Sequence, residues 1–246
     1  MISIESLRIG GLVYASGGKE TDLDRVCAAA EEARVSDLLL RMPPGLPREA
    51  QFGAAAVARA SAALPLTVDA EISSVEDALA FVDEGADRVV VSSEALADPE
   101  LVERIAKRIG RRGVVVAIEA SYERGRFELR GPAGVPTGLS VLGWAARAFA
   151  LGAGGFLVSG GAAGDTRLLR LLADGFPVPV GAIVGNTTPG WFASLAAAGC
   201  REAYADLRSI DPSRLPAWER LIEDLVESHH GASLLSTTRA GRIVVR

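Results

Sequence analysis

The chain has 246 residues, of which 23% are charged, and a formal net charge of −5. That length suits one α/β barrel or two smaller domains, and the mild acidity argues against nucleic-acid binding, which needs a basic surface. Two cysteines exclude a disulfide scaffold and a cysteine-built zinc site. The sequence has no apolar run of membrane-spanning length and no signal-peptide pattern at its start. We therefore expect a cytoplasmic protein that contacts neither membranes nor nucleic acid.

Few of the side chains that usually carry out catalysis are present. The only histidines, His229 and His230, are adjacent and close to the C-terminal end, and lysine occurs only at Lys19 and Lys107. A Ser/His/Asp triad or a histidine-rich metal centre would have to be built from those two neighbours, which disfavours both. We expect no metal and no cofactor, and any catalysis would rest on carboxylates.

Short β-branched runs alternate with alanine-rich stretches along the chain. Their apolar residues are consecutive, which is typical of parallel strands buried on both faces. The predicted strands are Leu7–Tyr14, Asp37–Met42, Leu66–Glu71, Arg88–Ser93, Gly113–Ala120, Gly155–Gly160, Pro179–Val184 and Glu202–Asp206. The predicted helices span residues 22–34, 47–63, 74–85, 98–111, 139–152, 165–175, 189–199 and 212–229. Glycines at positions 85, 110, 152 and 199 mark the ends of four of these helices.

Eight strand–helix units in 246 residues predict a single (β/α)8 TIM barrel. The alternative is a doubly wound open sheet, which we disfavour because no GxGxxG follows the first strand. We expect the barrel to span residues 1–232 and a short tail to span residues 233–246. Residues Tyr122–Val135 interrupt the alternation of strands and helices after the fifth strand. Their sequence predicts a small hairpin around Arg124-Gly125. The end of the tail, RIVVR, is predicted to be a loose terminus, with an edge strand or docking on the barrel as the alternative.

In such a barrel the active site lies at the C-terminal ends of the strands. The residues placed there are Tyr14, Arg41, Asp69, Glu71, Ser92, Ser93, Glu119, Ser159 and Asp206. Asp69 and Glu71 lie at the end of the third predicted strand and Glu119 lies on the fifth. They are the candidate catalytic residues, as acid and base or as ligands of a hard cation. The alternative is that these side chains form a hydrogen-bonded polar plug inside the barrel.

Two glycine-rich turns are candidate anion sites, because backbone amides of such turns and of helix N-termini bind phosphate. They are SGGAAGDT after the sixth strand and VGNTTPG after the seventh. The candidate substrate- or anion-binding residues are Arg41, Lys19, Ser159, Gly160, Gly161, Gly185 and Asn186. The alternatives are ordinary turns capped by Asp165 or Thr188, an Arg41 that pairs with a carboxylate in the mouth, and a solvated Lys19.

Two segments resemble the cyclase subunit of imidazole glycerol phosphate synthase, a barrel of histidine biosynthesis. They are GADRVVVSSEALADPELVERIAKRIGRRGVVVAIEA (Gly85–Ala120) and TGLSVLGWAARAFALGAGGFLVSG (Thr137–Gly160). The resemblance implies a (β/α)8 barrel that closes an imidazole ring on a phosphorylated ribulosyl nucleotide, with ammonia from a partner glutaminase. It also implies catalytic aspartates that end strands one and six and glycine-rich loops that hold two substrate phosphates.

The catalytic positions of that family are occupied by other residues in this chain. The first strand ends in Tyr14 where the family has an aspartate, and Gly160–Ala162 follow Ser159 where the second aspartate belongs. Asp165 is the nearest carboxylate, several residues late. Loss of one general acid or base costs roughly 10²–10⁴-fold in rate, so the loss of both should leave little ring closure.

The phosphate loops differ as well. The third-strand glycines are replaced by Val68–Glu71, which brings two negative charges, and the seventh-strand Ser-Gly-Gly by Ile183–Gly185. The first loop is shortened, which leaves Lys19 as the counterpart of the family's flexible lysine. Glu119 corresponds to a fifth-strand aspartate that the family associates with the ammonia passage and the partner face.

These differences predict a diverged barrel that is not a cyclase and acts as a partner or regulatory subunit. Its own partner would be a glutaminase-like or homologous barrel subunit, and a small phosphorylated ligand is compatible with the turns. Two alternatives stay open. One is a lyase- or isomerase-like enzyme of altered specificity that uses Asp69, Glu71 and Glu119 on a small anionic or phosphorylated substrate. The other is a working cyclase, a lyase, in which Asp165 replaces a missing aspartate.

Overall fold

The computed structural model describes residues 7–15, 20–32, 35–123, 125–160, 165–185, 188–207, 235–238 and 242–245. The strands in this part of the chain are β1 (Leu7–Tyr14), β2 (Leu38–Arg41), β3 (Leu66–Asp69), β4 (Arg88–Val91), β5 (Val114–Glu123), β6 (Arg126–Arg130), β7 (Pro136–Ser140), β8 (Gly155–Ser159), β9 (Val180–Val184), β10 (Glu202–Asp206), β11 (Leu235–Thr238) and β12 (Arg242–Val245). The helices are α1 (Glu20–Glu32), α2 (Arg48–Ser61), α3 (Val75–Asp83), α4 (Ser93–Ala97), α5 (Glu100–Ile109), α6 (Val141–Ala150), α7 (Thr166–Gly175) and α8 (Pro189–Ala197). None of these helices is long and apolar enough to cross a membrane.

Eight parallel strands close on themselves. β1, β2, β3, β4, β5, β8, β9 and β10 pair in that order, and β10 returns to pair with β1, with Gly10 opposite Tyr204. The predicted single (β/α)8 barrel is therefore confirmed, and the open doubly wound sheet is wrong because an open sheet has two unpaired edges. The predicted eighth helix over residues 212–229 lies outside the described residues.

The glycines predicted to end helices lie where they were expected, and α3 also has a well-defined N-terminal cap. Ser74 accepts a hydrogen bond from the backbone N–H of Asp77 at 3.0 Å and Asp77 accepts one in return, so α3 begins with a complete capping box. Gly85 and Gly152 follow helices with φ of +97° and +111°, where a side chain would be strained. α4 was not predicted, because this single turn follows directly on β4 and has no period of its own.

The predicted hairpin after the fifth strand is confirmed. β5 runs past the barrel to Glu123, and β6 returns antiparallel to it with Glu123 opposite Arg126. A third strand, β7, adds to β6. Its sequence, PTGLS, has too few β-branched residues to predict a strand. The extra sheet therefore rises beside the C-terminal end of the barrel.

Two segments of the predicted tail are β-strands. β11 and β12 form an antiparallel pair, and β12 also pairs with the first two residues of β1, Leu7 and Arg8. These residues precede the first pairing of β1 with β2, at Gly11, so their edge is open to another strand. The edge-strand alternative thus describes these segments, and the expectation of a loose terminus is corrected for them.

Every second residue of the barrel strands faces one interior. A separate apolar cluster fills its middle, whereas the larger cluster lies between the strands and the helices. The members of the interior cluster are Leu12, Leu39, Val90, Val115, Leu157 and Tyr204. Each such buried side chain stabilises the fold by about 1.5–3 kcal/mol.

Below the apolar layer, at the N-terminal end, the interior is charged. Glu202 is buried and accepts two hydrogen bonds from Arg88 Nη1, at 2.9 and 3.0 Å, and pairs with Arg8. Arg88 also donates to Tyr204 Oη at 2.8 Å and to Thr67 Oγ1 at 2.9 Å. Nearly all of its donors are therefore used inside the barrel.

Asp37 completes this charged layer. It is fully buried, with Oδ2 at 3.5 Å from Arg8 Nη1 and 3.8 Å from Arg88 Nη2. Burial raises the pKa of Asp37, and the two arginines oppose that shift. A Cβ on Gly10 would lie 2.2 Å from Asp37 Oδ1, so β1 has glycine where the carboxyl group packs.

We predict that Glu202→Gln lowers the free energy of unfolding by about 3 kcal/mol, because it removes a buried carboxylate and leaves the guanidinium groups of Arg8 and Arg88 with one carboxylate, Asp37. Urea denaturation followed by circular dichroism measures the loss. The control is Glu100→Gln, which removes a 3.0 Å ion pair to Arg147 whose side chains are both 55% exposed; it should cost less than about 1 kcal/mol. Equal effects of the two substitutions would contradict a stabilising charged layer.

Candidate functional site

The C-terminal ends of the barrel strands open into a cleft of about 480 Å³. Six of the ten residues proposed from the sequence line it together: Arg41, Asp69, Glu71, Glu119, Ser159 and Gly160. Ser92 and Ser93 line it as well. Gly185 is exposed outside this lining, and Lys19, Gly161 and Asn186 lie outside the described residues.

Arg41 and Asp69 form an ion pair across the mouth. They end β2 and β3 directly opposite each other, and both Nε and Nη2 of Arg41 lie 2.6 Å from Asp69 Oδ2. The side chain of Asp69 is only 12% exposed. Such a pair holds the arginine in place and offsets its charge, so Arg41 is not a free anion clamp.

Glu71 and Glu119 are the accessible carboxylates of the cleft. Glu71 lies just past β3, and Glu119 lies on β5 opposite Ser159 of β8. Both residues are exposed, and neither makes an ion pair with another described residue. A Cβ on Gly160, whose φ is +74°, would lie 3.0 Å from Glu119 Cγ, so the turn after β8 packs against this glutamate.

Sequence reasoning missed two charged residues of the cleft, Glu94 and Arg130. Glu94 lies in α4, and its Oε2 is buried without a hydrogen-bond partner in the described part of the chain. Arg130, on β6, donates through Nε to Ser121 Oγ at 2.7 Å and pairs with Glu123. Counting only strand ends omitted both, since one lies on an unpredicted helix and the other on the added hairpin.

The described residues of the lining are negative overall. They include four carboxylates and two guanidinium groups, a formal net charge of −2, and each of these arginines is already bonded to a carboxylate. Such a lining repels phosphate and favours neutral or cationic groups. Among the described residues, no group of three or more metal-ligating side chains comes together.

Asp165 caps a helix. Its Oδ1 accepts a hydrogen bond from the backbone N–H of Arg167 at 2.9 Å at the start of α7, and its Oδ2 lies 2.7 Å from Arg167 Nη2. The hydrogen bond from the Arg167 side chain is the main reason that the pKa of Asp165 lies below its usual range. A carboxylate held in this way is a poor proton donor near neutral pH.

Tyr14 stands at the end of β1. It is half-buried and packs against the apolar layer inside the barrel. Tyr14 therefore lies at the end of the first strand, where the resemblance implies the family's first catalytic aspartate.

Comparison with known proteins identifies the family. The family model described as "Histidine biosynthesis protein" matches residues 45–186. The HisF subunit of imidazole glycerol phosphate synthase from Acidobacterium capsulatum is 35% identical over 62% of this chain and 70% of its own length. The HisF subunit from Pyrobaculum aerophilum is 34% identical over 58% of this chain and 59% of its own length.

The match extends over more than half of the chain, and the closed barrel agrees with the fold that the resemblance implies. The protein is a HisF-like member of the histidine biosynthesis family of barrels.

Proposed function

We propose that this barrel does not close an imidazole ring and acts as a partner or regulatory subunit, beside a glutaminase-like or homologous barrel subunit. The observation that carries the proposal is the negative charge of the described cleft residues. The carboxylates of Asp69, Glu71, Glu94 and Glu119 line the cleft, and both arginines of the described lining are bonded to carboxylates. A cyclase of this family would have to bind two phosphates in this place.

Electrostatics oppose such a substrate. A phosphate group carries a charge of about −1.5 to −2 at pH 7. Each unit charge held roughly 5 Å from a carboxylate, at an effective dielectric constant of about 20, meets a repulsion of about 3 kcal/mol. To bind a phosphate here, Arg41 would also have to leave Asp69, which is nearly buried.

The catalytic positions support the same proposal. Tyr14 packs on the apolar layer where the family has its first aspartate, and Asp165 is an ionised helix cap bonded to Arg167. Neither side chain supplies the acid or base that the family reaction needs. The family scaffold is therefore present without the groups that would run the family chemistry.

We expect the purified protein not to turn over the phosphorylated ribulosyl nucleotide with ammonia. The HisF subunit of Acidobacterium capsulatum, prepared in the same way, is the positive control. Loss of the nucleotide substrate, followed by chromatography over hours, measures the rate. Turnover that persists through an ion-exchange step would contradict the proposal and favour a working cyclase.

We expect Asp69→Asn to create an anion site, because it releases Arg41 and removes one negative charge. Titration with inorganic phosphate, followed by the amide chemical shifts of residues 41, 69 and 119, should give a dissociation constant on the order of millimolar for the variant and no saturable shifts at these residues for the wild type. Asp83→Asn, an exposed carboxylate at the end of α3 outside the cleft, is the matched control. Saturable shifts of these mouth residues in the wild type would contradict a mouth closed by this ion pair.

A second function is favoured by the accessibility of Glu71 and Glu119. Two exposed carboxylates in one cleft could act as acid and base, with Asp69 beside them, in a lyase- or isomerase-like enzyme of altered specificity. The charge of the cleft favours a neutral or cationic substrate over the anionic or phosphorylated one suggested by the turns.

The test of this second function is a screen of small substrates with a matched pair of variants. Glu71→Gln and Glu119→Gln should each lower any activity found by roughly 10²-fold or more, without a change in melting temperature. Glu76→Gln, exposed on α3 and outside the cleft, should leave the activity unchanged. An activity that both cleft variants retain would show that these glutamates do not catalyse it.

A further inference from the structure

We infer that the N-terminal end of the barrel carries a separate binding site for an organic anion, one with a phosphate or carboxylate on a planar apolar body. A pocket of about 810 Å³ opens there, opposite the cleft. The charged residues of the described lining are Arg8, Arg88, Arg111, Arg112, Asp87 and Glu202, a formal net charge of +2. The two ends of the barrel thus carry opposite charge.

The floor of this pocket presents its positive groups outward. The side chains of Arg8 and Arg88 are 28% and 17% exposed, whereas those of Asp37 and Glu202, their ion-pair partners, are 0% and 6% exposed. The carboxylates therefore lie behind the guanidinium groups as seen from the pocket. Although the four charges cancel in number, the field at the pocket is positive.

The wall adds two further arginines on one short turn, residues Arg111–Gly113. A Cβ on Gly154 would lie 2.0 Å from the carbonyl oxygen of Arg111. This glycine therefore lets the turn pack directly against the backbone that leads into β8. Arg111 Nη2 donates to the carbonyl oxygen of Phe149 at 3.0 Å. The backbone and side-chain contacts hold this guanidinium at the pocket.

The neighbouring guanidinium, that of Arg112, is exposed and makes no hydrogen bond or ion pair with any residue in the described ranges. The remaining carboxylate among the described lining residues, Asp87, accepts a hydrogen bond from the backbone N–H of Leu66 at 2.8 Å and lies 3.6 Å from Arg59. Its charge is therefore offset by a different arginine. Arg111 and Arg112 have no carboxylate partner among the described residues, and two guanidinium groups that line one pocket suit a phosphate or carboxylate.

The rest of the pocket is apolar and selects the body of the ligand. Phe149 lies beneath Arg111, with 4.8 Å between the guanidinium carbon and the ring centroid, and Ile109 and Val178 line the same pocket. A planar group can stack on these surfaces while its anionic end meets the arginines. An aryl phosphate has both features.

Phenyl phosphate is the probe, added to the full chain in low salt and followed by isothermal titration and by amide chemical shifts. We expect saturable binding of one equivalent, with shifts at residues 111–113 and 154, and weaker binding of inorganic phosphate because it lacks the ring. Arg112→Gln should weaken phenyl phosphate about tenfold, because a charged hydrogen bond is lost. Arg111→Gln should weaken it at least as much.

The matched control is Arg126→Gln, which removes an exposed guanidinium from the hairpin at the other end of the barrel. It should leave the affinity unchanged. Because the Arg112 side chain bonds no described residue, its variant should fold, and it decides the test even if Arg111→Gln is unstable. Absence of saturable binding, or equal affinity of the wild type and both pocket variants, would overturn the proposal. Neither result depends on whether the cleft is catalytic.

Discussion

Closure of β1 against β10 is the constraint on which the rest of the molecule depends. It directs every second residue of eight strands into one narrow interior, where a charged side chain must have a partner. The chain meets this constraint in layers, with an apolar middle, a paired charged layer around Glu202 below it and a paired mouth at Arg41 and Asp69 above it. The primary role of the polar groups at both ends is therefore to pair with each other and stabilise the closed barrel.

The two ends of the barrel differ in how much of that charge is exposed. At the C-terminal mouth, carboxylates such as Glu71 and Glu119 face solvent and the arginines are bound to other carboxylates. At the N-terminal end the carboxylates are buried behind the guanidinium groups. A phosphate site needs positive groups that face the ligand, whereas the described residues of this mouth present exposed carboxylates.

Much of the fold could be predicted because it depends on local patterns. Consecutive apolar runs such as Leu38–Leu40, together with the glycines that follow four of the helices, specify strands and their order. The partner of Arg41 was left open, because an ion pair depends on the register of β2 against β3. Glu94 and Arg130 could not be predicted as cleft residues. Glu94 lies on a short helix and Arg130 on a hairpin strand, and the local hydrophobic pattern does not show that either element reaches the cleft.

The central question is whether the mouth accepts a phosphorylated substrate. Titration of the wild-type barrel with the phosphorylated ribulosyl nucleotide, followed by the amide chemical shifts of residues 41, 69 and 119, answers it directly, without dependence on turnover or on the pocket at the other end of the barrel. A mouth closed by Arg41 and Asp69 and lined by Glu71 and Glu119 should give no saturable shifts at these residues up to millimolar nucleotide, to order of magnitude. Saturable shifts there with a dissociation constant on the order of micromolar, lost when Arg41 is replaced by Ala, would contradict it.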